Sequence, residues 1–205
     1  SNLIGMIYSL AIYTVLYIPV LVMMIFSFKN QRYNSYWNGF TTQWYAKLFT
    51  NSTVIGSLWY SVIIAVLATL ISVTIGTIGA LGLRKYEFKG RKAINNMLYI
   101  PIIVPVIVMA VALLIVFMKV GFALGMGSIL IGHCTFCIPY AVVTIKGRIS
   151  GDDYSLEEAS MDLGASRIQT FINVTLPSIF PGVMSAAFLS FTLSIDDGVM
   201  SNMLS

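Results

Sequence analysis

Charge is what this chain has least of. Lys, Arg, Asp and Glu make up 10% of its 205 residues, whereas soluble domains carry roughly 25%. With 58% hydrophobic residues and a mean hydropathy of +0.86, the composition excludes an ordinary soluble domain and points to an integral membrane protein. The net charge of +4 is too small to argue for nucleic-acid binding; basic residues beside membrane spans serve instead to fix orientation. Cysteine is nearly absent. Cys134 and Cys137 lie three apart in an apolar run and read as packing residues rather than a disulfide. His133, the single histidine, joins them as a third ligand on one stretch, short of the four ligands of a structural zinc site. No metal site is expected. No Gly-x4-Gly-Lys-Ser/Thr phosphate loop occurs either, so this chain is not expected to hydrolyse ATP.

Long hydrophobic runs are what it has. Five of them, Leu3–Phe26, Leu58–Leu83, Ile94–Met118, Phe122–Ile145 and Phe171–Ile195, each offer the ~20 residues that a helix needs to cross the hydrocarbon layer. The first has no basic flank or small-residue cleavage site and reads as a span, not a signal peptide. The expected fold is all-α, a polytopic transmembrane helix bundle forming one domain over residues 1–205. Pro101, Pro105 and Pro139 inside the spans predict kinks. Gly76, Gly79, Gly82 and the glycines from Gly121 to Gly132 predict close helix approach. Because the chain begins on Ser1 and stops at Ser205 just past the fifth run, lost N-terminal sequence and a missing C-terminal helix are expected.

Orientation follows from the basic residues. Arg84, Lys85, Lys89, Arg91 and Lys92 cluster in one loop beside a single acid, Glu87, and Lys146, Arg148 and Arg167 fall in another. Lys29, Arg32, Lys47 and Lys119 fall on the other side. Eight against four place the 84–93 and 146–170 segments in the cytoplasm. The loop from Ser27 to Ser57, with Tyr33, Tyr36, Trp37, Trp44 and Tyr45, then faces outward. Its aromatics suit an interfacial belt or contact with an external partner.

The polar passage before the fifth run carries unusually complete local signals. Ser155 followed by Glu158 is a capping box that starts a helix at Leu156, and Ser166 followed by Gln169 starts another. Gly164 between them can end the first helix in the left-handed conformation. The expected product is a helix, a tight turn and a helix on the cytoplasmic surface. Leu156, Ala159 and Leu163 share one face, with Glu157, Glu158 and Asp162 beside it. Capping alone leaves two readings open: a loop folded for re-entry into the membrane, or an exposed knob for a partner.

The order of residues adds to this. Glu158-Ala159-Ser160, three residues, Gly164, nine residues and Val174-Thr175-Leu176-Pro177 resemble the EAA signature of the permease subunits of ABC importers. Ser160 and Val174 depart from that pattern conservatively, for Ala and Ile. The resemblance implies that the loop at about 150–170 forms a coupling helix docked on a cytoplasmic ATPase. Glu157, Glu158, Ala159, Ser160, Asp162, Leu163, Gly164, Ala165, Leu176 and Pro177 would carry that coupling. It further implies six or so spans in the full chain, a bacterial inner-membrane location, a second permease, two ATPase subunits and an external solute-binding protein. No cofactor is expected in this chain; ATP and Mg²⁺ would sit on the ATPase.

Phe40 to Tyr45 (FTTQWY) and Ser190 to Asp197 (SFTLSIDD) resemble the second permease subunit of spermidine/putrescine importers. Asp196 and Asp197 give the resemblance a chemical basis, because acids in a span are costly and usually serve a pathway. Successive helix residues point about 100° apart, so one carboxylate can face a pore while the other holds a neighbouring element. Both can equally sit at the outer interface and cap a helix end. Two other functions stay open: a permease for another small organic or cationic solute, and a membrane-embedded enzyme using Asp196 and Asp197. Asp152, Asp153 and Asp162 lie in the cytoplasmic loop, which argues against an aspartyl protease.

Overall fold

A computed structural model describes residues 2–30, 36, 37, 39–149 and 155–205. Among them every regular element is helical, and the one β-bridge is isolated, between Lys29 and Phe40. The chain divides into two compact units, Ser1–Leu58 and Trp59–Ser205.

In the first unit, α1 (Asn2–Phe26) is followed by the outer loop and α2 (Gln43–Thr50). Aromatic side chains hold this loop together. Phe28 stacks on Phe40 with centroids 5.2 Å apart, and Trp44 Nε1 donates to the Lys29 carbonyl at 2.8 Å. The Tyr45 hydroxyl meets Ser27 Oγ at 2.6 Å. Trp44 and Tyr45 therefore have structural roles; Tyr36 is 75% exposed, and Trp37 packs edge-on against Phe26. Arg32, Tyr33 and Asn38 lie outside the described residues.

The helix α3 (Ser52–Lys85) carries the chain into the second unit. Its 34 residues extend about 51 Å at 1.5 Å per residue, well beyond a hydrocarbon layer of ~30 Å. Its last turn bears Arg84 and Lys85, where cations suit the negative end of the helix dipole. Then come α4 (Arg91–Met97), α5 (Ile100–Ile103), α6 (Val106–Val120) and α7 (Met126–Ile149). The last group is α8 (Ser155–Asp162), α9 (Arg167–Thr170), a π-helical turn (Phe171–Thr175), α10 (Leu176–Asp196) and α11 (Gly198–Met203).

Among the described residues, four helices are long and apolar enough to cross a membrane, and five if a bent pair counts as one span. That pair corrects the third expected span. In place of one kinked helix over Ile94–Met118, the chain bends by 108° between Arg91–Ile103 and Val106–Val120. The ring of Pro105 disfavours a helical residue before it. Val104 is accordingly extended (φ −72°, ψ 130°) and so is Pro105 (φ −55°, ψ 136°). Pro139, by contrast, lies inside an uninterrupted α7. The fourth span also starts later than expected, because Gly121 (φ +68°) and Gly125 (φ +136°) build a turn before Met126. The fifth begins earlier, at Arg167.

Two apolar clusters stack along α7, which packs most extensively against α10. Ile129, Phe136 and Cys137 join Phe117, Met200 and Leu204 at one level. Ala141, Val142, Ile145 and Ile149 join Ala80, Leu83, Ile179 and Ala186 at the other. Two of the expected close approaches are real. A Cβ on Gly76 would meet Ala141 Cβ at 2.6 Å, and one on Gly132 would meet Leu204 Cδ1 at 2.7 Å.

Candidate functional site

Two places in the second unit, one at each end of a single helical column, hold the described acidic residues expected to function. The first is the turn between α8 and α9. Gly164 has φ +90°, a conformation that residues with a Cβ adopt at a cost. The Ala165 N–H bonds back to Ser160 O at 3.2 Å, closing the end of α8. The Ser166–Gln169 capping box is present in both directions, at 3.3 and 2.8 Å. Ser155 is the first residue of α8; Asp152 and Asp153 before it lie outside the described residues.

The sequence-predicted residues divide into two groups here. Leu156, Glu158, Ala159, Asp162 and Leu163 are exposed, and Leu163 is 90% accessible. These form an uncovered apolar and acidic surface. Glu157 and Ser160 instead face inward. The Thr175 hydroxyl donates to Glu157 Oε1 at 3.0 Å, and Ser160 Oγ meets Thr170 Oγ1 at 3.2 Å. Both contacts tie α8 to the base of the following column. Ala165 is half-buried in the turn, and Leu176 and Pro177 lie at the start of α10 rather than on the knob. Pro177 lacks an N–H, and its ring crowds the carbonyl four residues back. The chain responds with a wider π turn, in which Leu176 N–H reaches Phe171 O.

From Arg167 to Asp196 the helical column runs for 30 residues. The second site is where it stops. Asp197 is extended (φ −83°, ψ 95°) and separates α10 from α11. Its Oδ1 accepts from the N–H groups of Val199 (3.1 Å) and Met200 (3.2 Å), capping α11. Its side chain is 9% exposed, and Oδ2 is buried with no hydrogen-bond partner. Asp196 is exposed at the end of α10. Both acids line a cavity of about 490 Å³ that is also bounded by the Pro101–Val106 break, Phe136, Tyr140 and Thr192.

Two helix interruptions therefore meet at one cavity. His133 touches Ser194 near the end of α10, and it lies seven residues into α7, roughly 10 Å from that helix's end at 1.5 Å per residue. Broken helices inside a bilayer are tolerated where they border a cavity, and in transporters they mark solute sites. Asp197 caps α11, whereas Asp196 is exposed at the end of α10 and caps no helix among the described residues. Reading the sequence alone missed Tyr140, Thr192 and the hydrogen-bonding role of His133. The one available signal was the pair of prolines interrupting an apolar run beside an acidic pair. His133 and Cys137 turn toward Ser194 and the Ser190 carbonyl on α10 (2.6 and 3.6 Å). Among the described residues no group of three His, Cys, Asp or Glu gathers to hold a metal.

Comparison with known proteins gives concordant matches. Residues 72–204 match the family described as binding-protein-dependent transport system inner membrane component. The chain is 42% identical over 198 residues to the spermidine/putrescine transport system permease protein PotC of Haemophilus influenzae, covering 97% of this chain and 77% of that one. It is 40% identical over 192 residues to PotC of Escherichia coli K12, covering 94% and 73%. The putrescine transport system permease protein PotI of the same strain is 34% identical over 200 residues, covering 94% and 71%. A solved bacterial ABC transporter that imports the acidic polysaccharide alginate superposes with a TM-score of 0.75 at 16% identity, over 99% of this chain and 77% of that one. That likeness speaks for the fold.

Proposed function

Since the chain belongs to the family of binding-protein-dependent transport system inner membrane components, we propose that it is the permease subunit of an ATP-driven importer of polyamines. It is a multi-pass protein of the bacterial plasma membrane and a transport subunit, not an enzyme. An ATPase, a solute-binding protein and a second permease belong to such an assembly.

The observation that carries the substrate reading is the aspartate pair. Asp196 and Asp197 line a 490 Å³ cavity where the breaks at Val104–Pro105 and at Asp197 meet. A polyamine is an apolar chain with spaced ammonium groups, and the cavity offers carboxylates among Phe136, Leu193 and Val199. Relatives named for spermidine and putrescine support the same chemistry.

The motor engages the other end of the column. Two ATPase copies dock in the complex, one of them on the exposed face of Leu156, Ala159 and Leu163, with Glu158 and Asp162 as its acidic margin. ATP and Mg²⁺ bind on those partners and supply the energy of closure. Closure moves α8 as a rigid body, because Gly164 and the Ser166–Gln169 box fix its geometry. The Glu157–Thr175 and Ser160–Thr170 bonds pass the movement into the column that ends at the aspartates. Solute access then alternates between the two sides.

The test is uptake of radiolabelled spermidine and putrescine by the reconstituted complex with its solute-binding protein. ATP-dependent uptake should be suppressed by unlabelled polyamines and not by diols of similar length. A complex that imports another solute but neither polyamine overturns the substrate assignment.

A further inference from the structure

One buried ring joins the two sides of the break at Asp197. His133, 1% exposed on α7, places Nδ1 2.6 Å from Ser194 Oγ on α10. Its Nε2 lies 3.2 Å from Ser201 Oγ on α11. Ser201 Oγ also donates to the Asp197 carbonyl at 3.0 Å. A carbonyl only accepts and a hydroxyl has one hydrogen, so Ser201 must accept from the imidazole. Nε2 therefore carries the ring proton of the neutral histidine, and Nδ1 accepts from the Ser194 hydroxyl. The chain has one direction: Ser194 to His133, His133 to Ser201, Ser201 to the Asp197 backbone.

This direction decides what is left for the Asp197 carboxylate. Oδ1 is occupied by the Val199 and Met200 N–H groups. Oδ2 stands 3.9 Å from Nε2, too far for a hydrogen bond, and the Nε2 proton is already committed to Ser201. A buried carboxylate oxygen without a donor is costly; Asp197 lines the cavity, so a cation held there would offset that cost by charge attraction rather than by contact with the buried Oδ2.

We propose that His133 is a positioning residue for the cavity-lining carboxylate of Asp197. It clamps α10 to α11 across the break and keeps its own N–H away from Asp197 Oδ2, so the charge stays available to an ammonium group. The proposal rests on the cationic-substrate reading above.

The test uses the full complex with its solute-binding protein, measuring polyamine imported per ATP hydrolysed together with ATPase co-purification. His133→Leu should leave assembly and ATP hydrolysis near wild type while import per ATP falls about tenfold. His133→Gln, whose amide both accepts and donates, should restore most of the ratio. Ser201→Ala frees the Nε2 proton for Oδ2 and should lower the ratio as well. Wild-type ratios in both His133→Leu and Ser201→Ala, or a glutamine variant no better than leucine, would overturn the role of His133 alone. If His133→Leu fails to assemble, Ser201→Ala decides by the same criterion. A wild-type complex that imports no polyamine overturns the underlying reading and this proposal with it.

Discussion

Replacing Asp197 by asparagine removes one charge from the cavity and little else. Asparagine is as good a helix N-cap as aspartate. The bonds from Val199 and Met200 N–H, 3.1 and 3.2 Å long, can persist, and α11 stays in place. What disappears is the attraction between a carboxylate and a cation. At ~4 Å and an effective dielectric near 20 that attraction is about 4 kcal/mol. Stripping water from both ions offsets much of it, the more so for a side chain only 9% exposed. A residue of about 1.4 kcal/mol still amounts to tenfold. Asp197→Asn should therefore cut the initial rate of spermidine import by about tenfold or more. Asp196 is exposed, where solvent and salt screen its charge, so Asp196→Asn should have the smaller effect and the double variant the largest. The assay is radiolabelled uptake in proteoliposomes, with ATPase co-purification as the control. Docking should survive, because the knob lies beyond the far end of a 30-residue column. Wild-type import by the double variant would refute the reasoning and leave the acids as structural caps.

The docking knob is open to a substitution that acts on backbone alone. A Cβ at Gly164 meets nothing within 4 Å, so Gly164→Val at φ +90° costs about 1–3 kcal/mol of conformational strain. The subunit should still insert, with weakened ATPase recruitment or hydrolysis uncoupled from import, and normal coupled transport would sink the docking role. Sidedness is tested across α3, which is long and apolar enough to cross a membrane. Cysteines placed at Lys89 and Leu163 should react with impermeant reagents only from the cytoplasm, and one at Tyr36 only from outside. Labelling of Lys89 and Tyr36 positions from the same side would contradict the crossing.

Features that depend on a few adjacent residues were legible in the sequence. Composition alone identified a membrane protein, since so few charges cannot solvate a soluble surface. The bounds of α1 follow from the length of its apolar run. Gly164 and the Ser166–Gln169 box announce the turn and the helix after it, because φ and capping are local properties. The EAA-like order around Gly164 carried the family for the same reason.

What depends on neighbours distant in the chain was decided only by the tertiary structure. Pro105 and Pro139 look alike in sequence. One sits at a 108° break and the other, buried, in an intact helix, α7, packed against α10. Glu157 reads as a docking acid, yet Thr175 claims its carboxylate from eighteen residues away. The break at Pro105, Tyr140 on α7 and Asp197 are far apart in sequence and share a cavity only because α7 packs against α5 and α10. His133 gains its direction from two serines on different helices, 61 and 68 residues downstream. Periodicity reports which face of a helix is apolar; which faces meet, and which carboxylate oxygen is left without a donor, is set by packing across the bundle.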